Sequence, residues 1–289
     1  MRYLVVNADD FGFSEGINRG IVEAHTQGVV TSASVMCHAP GFEDALQRLR
    51  EHPSLDPGVH VTLTVGRPVS PPAQVATLVG PQSRFHGLYS FLSRLCVGAM
   101  NPDEVRREMR AQIEKFLRAG LRPSHLNSHH HVHLLPSLAR MARDLAAEFG
   151  IPFLRCPYNV ISASGLTARE RVIQRLARRR RADFLEQGLL LPDNLIGPGL
   201  MGSRFEPHSV VASLNAAGDD TITELACHPG HVDDELASTD TYTHWREREV
   251  RVLISLKSDG RLAQSGVALT SFARLCKWRP SDTLTAQLG

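Results

Sequence analysis

The sequence has few cysteines and no long apolar run, and both absences exclude classes of protein. Its five cysteines are an odd number, widely spread and without a Cys-x-x-Cys pair. A disulfide framework or a cysteine zinc site is therefore not expected, and a reducing compartment fits. No apolar stretch approaches the length of a transmembrane helix, and the one at the N-terminus is too short for a signal peptide. We therefore expect a cytoplasmic protein without a transmembrane segment.

An excess of charge and the common nucleotide-binding motifs are also missing. The 32 basic and 30 acidic residues give a formal net charge of +2, which argues against a nucleic-acid partner. No Gly-x-Gly-x-x-Gly follows the first predicted strand and no Walker-type loop occurs, so nothing supports nucleotide binding. The 289 residues, of which 42% are hydrophobic, are enough for one α/β barrel or two smaller globular domains.

Histidine, by contrast, is concentrated in one stretch. Residues 124–133 read Ser-His-Leu-Asn-Ser-His-His-His-Val-His, so five of the ten are histidine. If the stretch is extended, one face carries His125, Asn127, His129, His131 and His133. Imidazoles on one face suit a divalent metal ion, with a further ligand from elsewhere in the chain. The alternative, a merely polar tract, fits less well because the run is internal and interrupted.

Predicted strands and helices alternate along the chain. Short apolar runs and the histidine stretch predict strands at residues 3–6, 29–36, 59–63, 124–133, 152–156, 189–196, 221–227 and 267–269. Amphipathic or loop segments separate them. This alternation predicts βαβ units, a parallel sheet and one closed or nearly closed barrel. A doubly wound sheet is the main rival.

Two segments depart from this alternation. Residues 66–100 contain many Pro, Gly and Ser residues and predict a long loop excursion. Residues 166–187 predict a basic helical segment with four consecutive arginines, Arg178 to Arg181. Those arginines suit an anionic ligand or a membrane surface. A solvated helix face or a mobile insertion explains them more simply.

Candidate functional residues follow several of the predicted strands. In parallel α/β proteins, functional side chains lie at the carboxyl ends of strands. The chain has Asp9, Asp10, His60, Arg155 and His228 at such positions. The structural alternatives are turn chemistry for the aspartates and a satisfied core or turn position for the histidines. Arg155 at a buried strand end needs an acidic partner, for which Asp9 is the natural candidate.

Two histidines and one aspartate around a cation would leave coordination positions open for water. That layout is typical of a catalytic metal site and favours hydrolysis of a carbonyl compound, with a carboxylate as base and a histidine as acid. The residues alone do not name the substrate.

Four motifs, which run in order from about residue 1 to about residue 275, resemble those of the YdjC-type carbohydrate deacetylases. They are Asn7-Ala8-Asp9-Asp10-Phe11-Gly12, Gly58-Val59-His60-Val61-Thr62-Leu63-Thr64, residues 124–133, and Glu224-Leu225-Ala226-Cys227-His228-Pro229-Gly230. Each motif is weak alone, but the set is specific. The resemblance implies an α/β fold, namely a distorted TIM-like (β/α) barrel with mostly parallel strands, as a single domain over residues 1–289.

The resemblance also implies a hydrolase that depends on a divalent metal ion and removes the acetyl group from an N-acetylated amino sugar, with release of acetate. The substrate would be an oligosaccharide or a glycolipid. By motif, Asp10, His60 and His129 resemble the metal ligands of the family. Zinc is favoured for such a ligand set, and magnesium, manganese or cobalt are alternatives.

The remaining motif residues resemble the family's catalytic groups. Asp9 resembles the base that activates the attacking water, His228 the acid for the departing amine, and Arg155 a residue that orients Asp9. Asn127 is a departure, since family members often carry Asp there. An Asn cannot supply a charge to a ligating imidazole, so the substitution bears on how the metal is held.

Other functions are weighed against this one. Metal-dependent amidohydrolases and phosphoesterases of barrel fold usually carry His-x-His on the first strand, where this chain has Asp9 and Asp10. A non-catalytic metal-binding protein would not need Asp9, Arg155 and His228. The motifs leave the oligomeric state open, and a homodimer is compatible with them.

Overall fold

The computed structural model describes residues 1–163 and 165–278, with only the backbone of Trp278; residues 279–289 of the predicted domain lie outside it. Eight strands in the described part form one sheet, and every pairing in it is parallel. In chain order they are β1 (Arg2–Phe11), β2 (Ser32–Val35), β3 (Asp56–Val61), β4 (His125–Ser128), β5 (Phe153–Leu154), β6 (Asn194–Ile196), β7 (Ile222–Cys227) and β8 (Val267–Thr270).

The strand order is β5-β4-β3-β2-β1-β7-β6, and β8 lies beside the first half of β1. Isolated bridges between Phe153 and Leu190 and between Val160 and Leu195 extend the two edges of the sheet. The sheet therefore curls into a distorted, incompletely closed barrel. This confirms the predicted parallel α/β barrel.

Helices surround the sheet over the described residues. They are α1 (Glu15–Thr26), α2 (Phe42–Glu51), α3 (Leu88–Cys96), α4 (Pro102–Arg118), α5 (Pro136–Glu148), α6 (Ala168–Arg178), α7 (Arg181–Glu186), α8 (Pro207–Asn215), α9 (Asp234–Thr239), α10 (His244–Ser258), α11 (Arg261–Gln264) and α12 (Phe272–Trp278). The Ser14 side chain accepts a hydrogen bond from the Ile17 amide and so caps α1, as its type and position before the helix predict. None of these helices is both long and apolar enough for a membrane span.

Strand β1 lies near the middle of the sheet, and its sequence explains why. Leu4, Val5 and Val6 are all fully buried. Such a continuous apolar run is typical of a strand in a parallel sheet that is covered on both faces. Strand β7 pairs with residues 3–8 of β1, and β2 pairs with it between residues 7 and 11. The end of β1 is therefore surrounded by the ends of other parallel strands, where the candidate residues lie.

The two atypical segments are more ordered than the composition suggests. The predicted excursion at 66–100 contains helix α3, whose Phe91 side chain is fully buried. The basic segment at 166–187 is helical as predicted, but it is divided into α6 and α7. Thr167 and Glu170 form a capping box that fixes the start of α6.

Candidate active site

An irregularity in β1 brings two successive aspartates to the same end of the barrel. The register between β1 and β2 shifts between Ala8 and Phe11, and Asp10 has a φ of 69°. In a regular strand neighbouring side chains point to opposite faces, whereas a bulge redirects one of them. Both carboxylates are consequently buried and line one cavity. Left-handed backbone at a non-glycine residue is strained, and such strain is concentrated at functional sites.

Asp10 meets two imidazoles that come from other strands. Its Oδ1 atom lies 3.4 Å from His60 Nε2 and 3.1 Å from His129 Nδ1. One donor atom from each of the three residues lies within 4.8 Å of the others. His60 Nε2 is buried and has no hydrogen-bond partner in the described part of the chain. A divalent cation between these atoms would satisfy that nitrogen, so the residues present fit a metal ion.

Asn127 determines which nitrogen of His60 is free. The ring nitrogen His60 Nδ1 lies 2.6 Å from Asn127 Oδ1. The Asn127 amide nitrogen donates to Ser34 Oγ at 2.8 Å and to Asp9 Oδ1 at 3.2 Å, so its oxygen must face His60. An amide oxygen only accepts, and His60 Nδ1 therefore carries the proton. The lone pair on Nε2 is left to face Asp10, which is the tautomer that a metal ligand needs.

Asp9 is held by a dense set of donors. Arg155 Nη1 donates to Asp9 Oδ2 at 2.5 Å and Arg155 Nη2 to Oδ1 at 2.9 Å, and Asn7 Nδ2 donates to Oδ1 at 2.9 Å. Burial raises the pKa of Asp9, but the Arg155 guanidinium, together with His60 and His228, outweighs burial and holds that pKa well below its ordinary value. Arg155 also donates to Glu224 Oε1 at 2.9 and 2.6 Å. The expected pairing of Arg155 with Asp9 is thus present, and Asp9 is ionised.

His228 follows β7 and lines the same cavity. Its Nε2 atom lies 3.9 Å from Asp9 Oδ2, and its Nδ1 atom is buried without a hydrogen-bond partner among the described residues. The ring lies edge-on to the Tyr242 ring, with 6.1 Å between centroids. All six site residues expected from the sequence are therefore brought together, although their roles remain predictions.

The predicted row of histidines on one strand face is wrong beyond Ser128. Strand β4 ends there, and residues 129–134 form a 3-10 turn in which His130 and His131 have φ values of 59° and 56°. The turn breaks the alternation, so the histidines face different surroundings. His129 alone of the five contacts Asp10.

The other histidines of the stretch serve different contacts. His125 contacts Ser34 Oγ through Nε2 at 3.0 Å and packs on the Phe272 ring, while His133 bonds the backbone oxygen of Arg155 at 2.8 Å. Burial lowers the pKa of His125 to about 3 and that of His133 to about 4, which keeps both neutral.

The cavity has a volume of about 200 Å³, and part of its wall comes from the basic segment. Arg169, Glu170 and Ile173 of α6 line it, as does Met201 in the loop after β6. The four consecutive arginines are not among its lining residues; Arg181, for example, lies over the Tyr158 ring at 4.7 Å. The first two turns of α6, rather than the arginine run, face the site.

Sequence reasoning missed Arg246 of α10. Its side chain is only 2% exposed and donates to Asp10 Oδ2 at 2.7 Å. In the sequence it is one of several charged residues of an amphipathic helix. The available signal was weak: Arg246 and Val250 share one face of that helix, and Val250 is also buried.

Comparisons with known proteins give three kinds of match. A family model described as YdjC-like protein matches residues 3–264. A carbohydrate deacetylase of Geobacillus stearothermophilus is 36% identical over 276 residues, which cover 96% of this chain and 99% of the relative. A carbohydrate deacetylase of Homo sapiens is 32% identical over 305 residues, with coverage of 98% and 94%.

A solved structure also matches over almost the full length. It comes from Enterococcus faecalis V583 and is provisionally named a cellobiose-phosphate cleavage protein. It superposes with a TM-score of 0.79 at 28% identity and covers 95% of this chain and 98% of its own. Sequence and fold thus agree on the same relationship.

Proposed function

The chain belongs to the YdjC family, and from this premise we propose that it is a carbohydrate deacetylase that uses one divalent metal ion. It hydrolyses the acetamido group of an N-acetylated amino sugar and yields acetate and the free amine. One observation carries the proposal: the donor atoms of Asp10, His60 and His129 converge in the cavity that also contains Asp9 and His228. The names of the relatives support a carbohydrate substrate and the loss of an acetyl group.

In this proposal Asp10, His60 and His129 hold the metal ion, for which zinc is favoured and magnesium, manganese or cobalt are alternatives. A divalent cation supplies Lewis-acid chemistry, because it polarises a carbonyl group and makes water acidic near neutral pH. Asn127 keeps the His60 Nε2 lone pair available for it.

Asp9 is the general base. Its Oδ1 atom accepts hydrogen bonds from Asn7, Asn127 and Arg155, whereas Oδ2 accepts, within the described part of the chain, from Arg155 only. Oδ2 is therefore the oxygen with capacity left to take a proton from the attacking water. Because Arg155 holds the pKa of Asp9 low, the carboxylate is ionised before the reaction begins.

His228 is the general acid. Its Nε2 atom lies 3.9 Å from Asp9 Oδ2, and both residues line the cavity. A proton carried at that nitrogen can pass to the amide nitrogen as the C–N bond breaks. The carboxylate and the imidazole thus divide the two proton transfers that amide hydrolysis requires.

The substrate is an N-acetylated sugar within an oligosaccharide or a glycolipid. A cavity of about 200 Å³ is smaller than a typical site that encloses a whole drug-sized ligand. It suits an acetamido group and part of one sugar ring. The rest of the substrate then extends across the mouth of the cavity, where Arg169, Ile173 and Met201 lie.

The test is acetate release from a panel of N-acetylated oligosaccharides and glycolipids. Purified protein is stripped with a chelator and then reloaded separately with zinc, magnesium, manganese or cobalt. We expect acetate in amounts equal to the new free amine, little activity in the stripped protein, and recovery with at least one metal. An aryl phosphate ester in the same panel probes the rival phosphoesterase chemistry.

Two results would overturn the proposal. Full activity of the stripped protein would remove the metal from the mechanism. Release of phosphate without acetate from any sugar in the panel would assign a different reaction to the same cavity.

A further inference from the structure

Arg246 is a buried cation whose position is explained by two acidic partners. Its Nη2 atom donates to Asp10 Oδ2 at 2.7 Å and to Asp240 Oδ2 at 2.9 Å, and its Nε atom donates to the Tyr242 backbone oxygen at 2.9 Å. The side chain is 2% exposed. A guanidinium this deeply buried is costly unless it is paired, and the pairing with Asp10 links α10 directly to the end of β1.

One nitrogen of Arg246 is left over. Nη1 is buried and has no hydrogen-bond partner in the part of the chain that the structure describes. Arginines that only hold a fold together usually have their buried donors satisfied. Arg246 also lines the cavity, together with its partners Asp10 and Asp240. These features favour a role in the site over a purely structural ion pair.

The two oxygens of Asp10 have different neighbours. Oδ1 faces His60 Nε2 at 3.4 Å and His129 Nδ1 at 3.1 Å, whereas Oδ2 accepts from Arg246. A carboxylate whose second oxygen is engaged by a guanidinium has one oxygen left to offer. Carboxylates bind metals through one or both oxygens, and larger cations with more ligands more often take both.

We propose that Arg246 is a positioning residue that restricts Asp10 to a single donor oxygen and thereby biases the site toward a small cation with few ligands, such as zinc, over manganese. The inference rests on the proposed function, since it concerns the metal that the deacetylase would hold. It assigns Arg246 no contact with substrate.

Helix α10 also contacts the part of the cavity wall that contains His228 and Tyr242. The Glu249 carboxylate accepts from the His228 backbone amide and, at 2.6 Å, from the Tyr242 hydroxyl. The Tyr242 hydroxyl in turn accepts from the Gly202 amide at 2.9 Å. Arg246 and Glu249 are three residues apart, so they lie on neighbouring positions of one helix face. Helix α10 therefore supports Asp10 and His228 through two different side chains.

The test compares metal preference in Arg246→Gln, Arg246→Lys and the control Arg251→Gln. The Gln amide ends near the position of the arginine Nε atom and cannot reach Asp10. Lys keeps the charge but not the planar fork. Arg251 is an exposed arginine on the same helix, so the control removes equal charge. Zinc and manganese dissociation constants are measured by competition with a chromophoric chelator, and folding is checked by circular dichroism.

We expect the ratio of the manganese to the zinc dissociation constant to fall at least about tenfold in Arg246→Gln, within the range known for groups that orient metal ligands. Arg246→Lys should lie between wild type and Arg246→Gln, and Arg251→Gln should match wild type. If Arg246→Gln does not fold, the Lys variant carries the comparison.

The outcomes separate this inference from the proposed function. Wild-type protein that binds neither metal contradicts the proposed function and the inference together. Wild-type protein that binds zinc and releases acetate, beside a folded Arg246 variant with an unchanged ratio, overturns only the role of Arg246. An equal change in Arg251→Gln would reduce the effect to charge and overturn that role as well.

Discussion

Asp9 and Asp10 are adjacent in the chain and both are buried, yet they have different kinds of neighbours. On the Asp9 side, Arg155, Asn7 and Asn127 donate four hydrogen bonds to the carboxylate. On the Asp10 side, the carboxylate faces His60 and His129, and His60 Nε2 has no hydrogen-bond partner among the described residues. Protein donors contact both oxygens of Asp9, whereas the cluster of Asp10, His60 and His129 contains a buried nitrogen without a partner among the described residues, which fits a cation.

Under the proposed function, this difference gives two identical side chains different tasks. Surrounding donors fix the orientation and the ionised state of Asp9, which is what a base needs before substrate arrives. A carboxylate beside two imidazoles groups three donor atoms instead, and the His60 Nε2 atom, which has no partner among the described residues, favours a metal. Asn127 joins the two sides, because its oxygen contacts His60 and its nitrogen contacts Asp9.

The largest effect is expected on the Asp10 side. His129→Ala removes one of three donors, so we expect loss of bound metal and a fall in acetate release of about a thousandfold or more, since the whole metal contribution is lost. Metal content and acetate release are measured on the same samples. His131→Ala is the matched control and should retain metal. Unchanged occupancy in His129→Ala, with loss in His131→Ala, would transfer the ligand role to His131.

On the Asp9 side, a substitution should affect acetate release but not metal content. Asp9→Asn keeps the side chain's shape but cannot accept the proton, so acetate release should fall by about 10²–10⁴-fold while metal content stays at the wild-type level. Arg155 retains Glu224 as its ionic partner, which helps the variant to fold. Full activity in Asp9→Asn would contradict the assignment of the base.

Asn127 offers a smaller test that acts on both sides. Asn127→Ala removes the acceptor for His60 and should weaken metal binding by about 10–100-fold. Asn127→Asp keeps an acceptor for His60 and removes the donor to Asp9 and to Ser34. Because the contact with His60 is retained, its metal affinity should not fall below that of wild type. Metal affinity is measured by chelator competition. Equal affinities in wild type and Asn127→Ala would show that Asn127 does not select the His60 tautomer.

The smallest effect is expected in the basic segment. Neutralising Arg178 to Arg181 together should change acetate release from a soluble sugar by less than about twofold, because none of the four lines the cavity and they are exposed or half-buried. Arg169→Ala, by comparison, removes a residue of the cavity wall and should raise KM several-fold with little change in kcat. A large loss of acetate release in the first variant would mean that the arginine run binds the substrate.

Much of the site could be predicted before the fold was known, because parallel strands present their carboxyl ends at one edge. That rule sufficed to gather Asp9, Asp10, His60, Arg155 and His228. It could not predict which of the histidines in residues 124–133 would contact Asp10. Their separation depends on a left-handed turn at His130 and His131, a conformation that side-chain type does not reveal.

The alternating elements, the buried central strand and most of the residues at the barrel mouth follow from local periodicity and strand direction, and the sequence therefore suffices to predict them. The bulge that directs both aspartates into one cavity arises from tertiary packing. The same is true of the contact between Arg246 and Asp10, which are 236 positions apart in the chain. Such contacts depend on how distant segments pack. The local pattern of polar and apolar residues does not predict which buried charged side chains will pair.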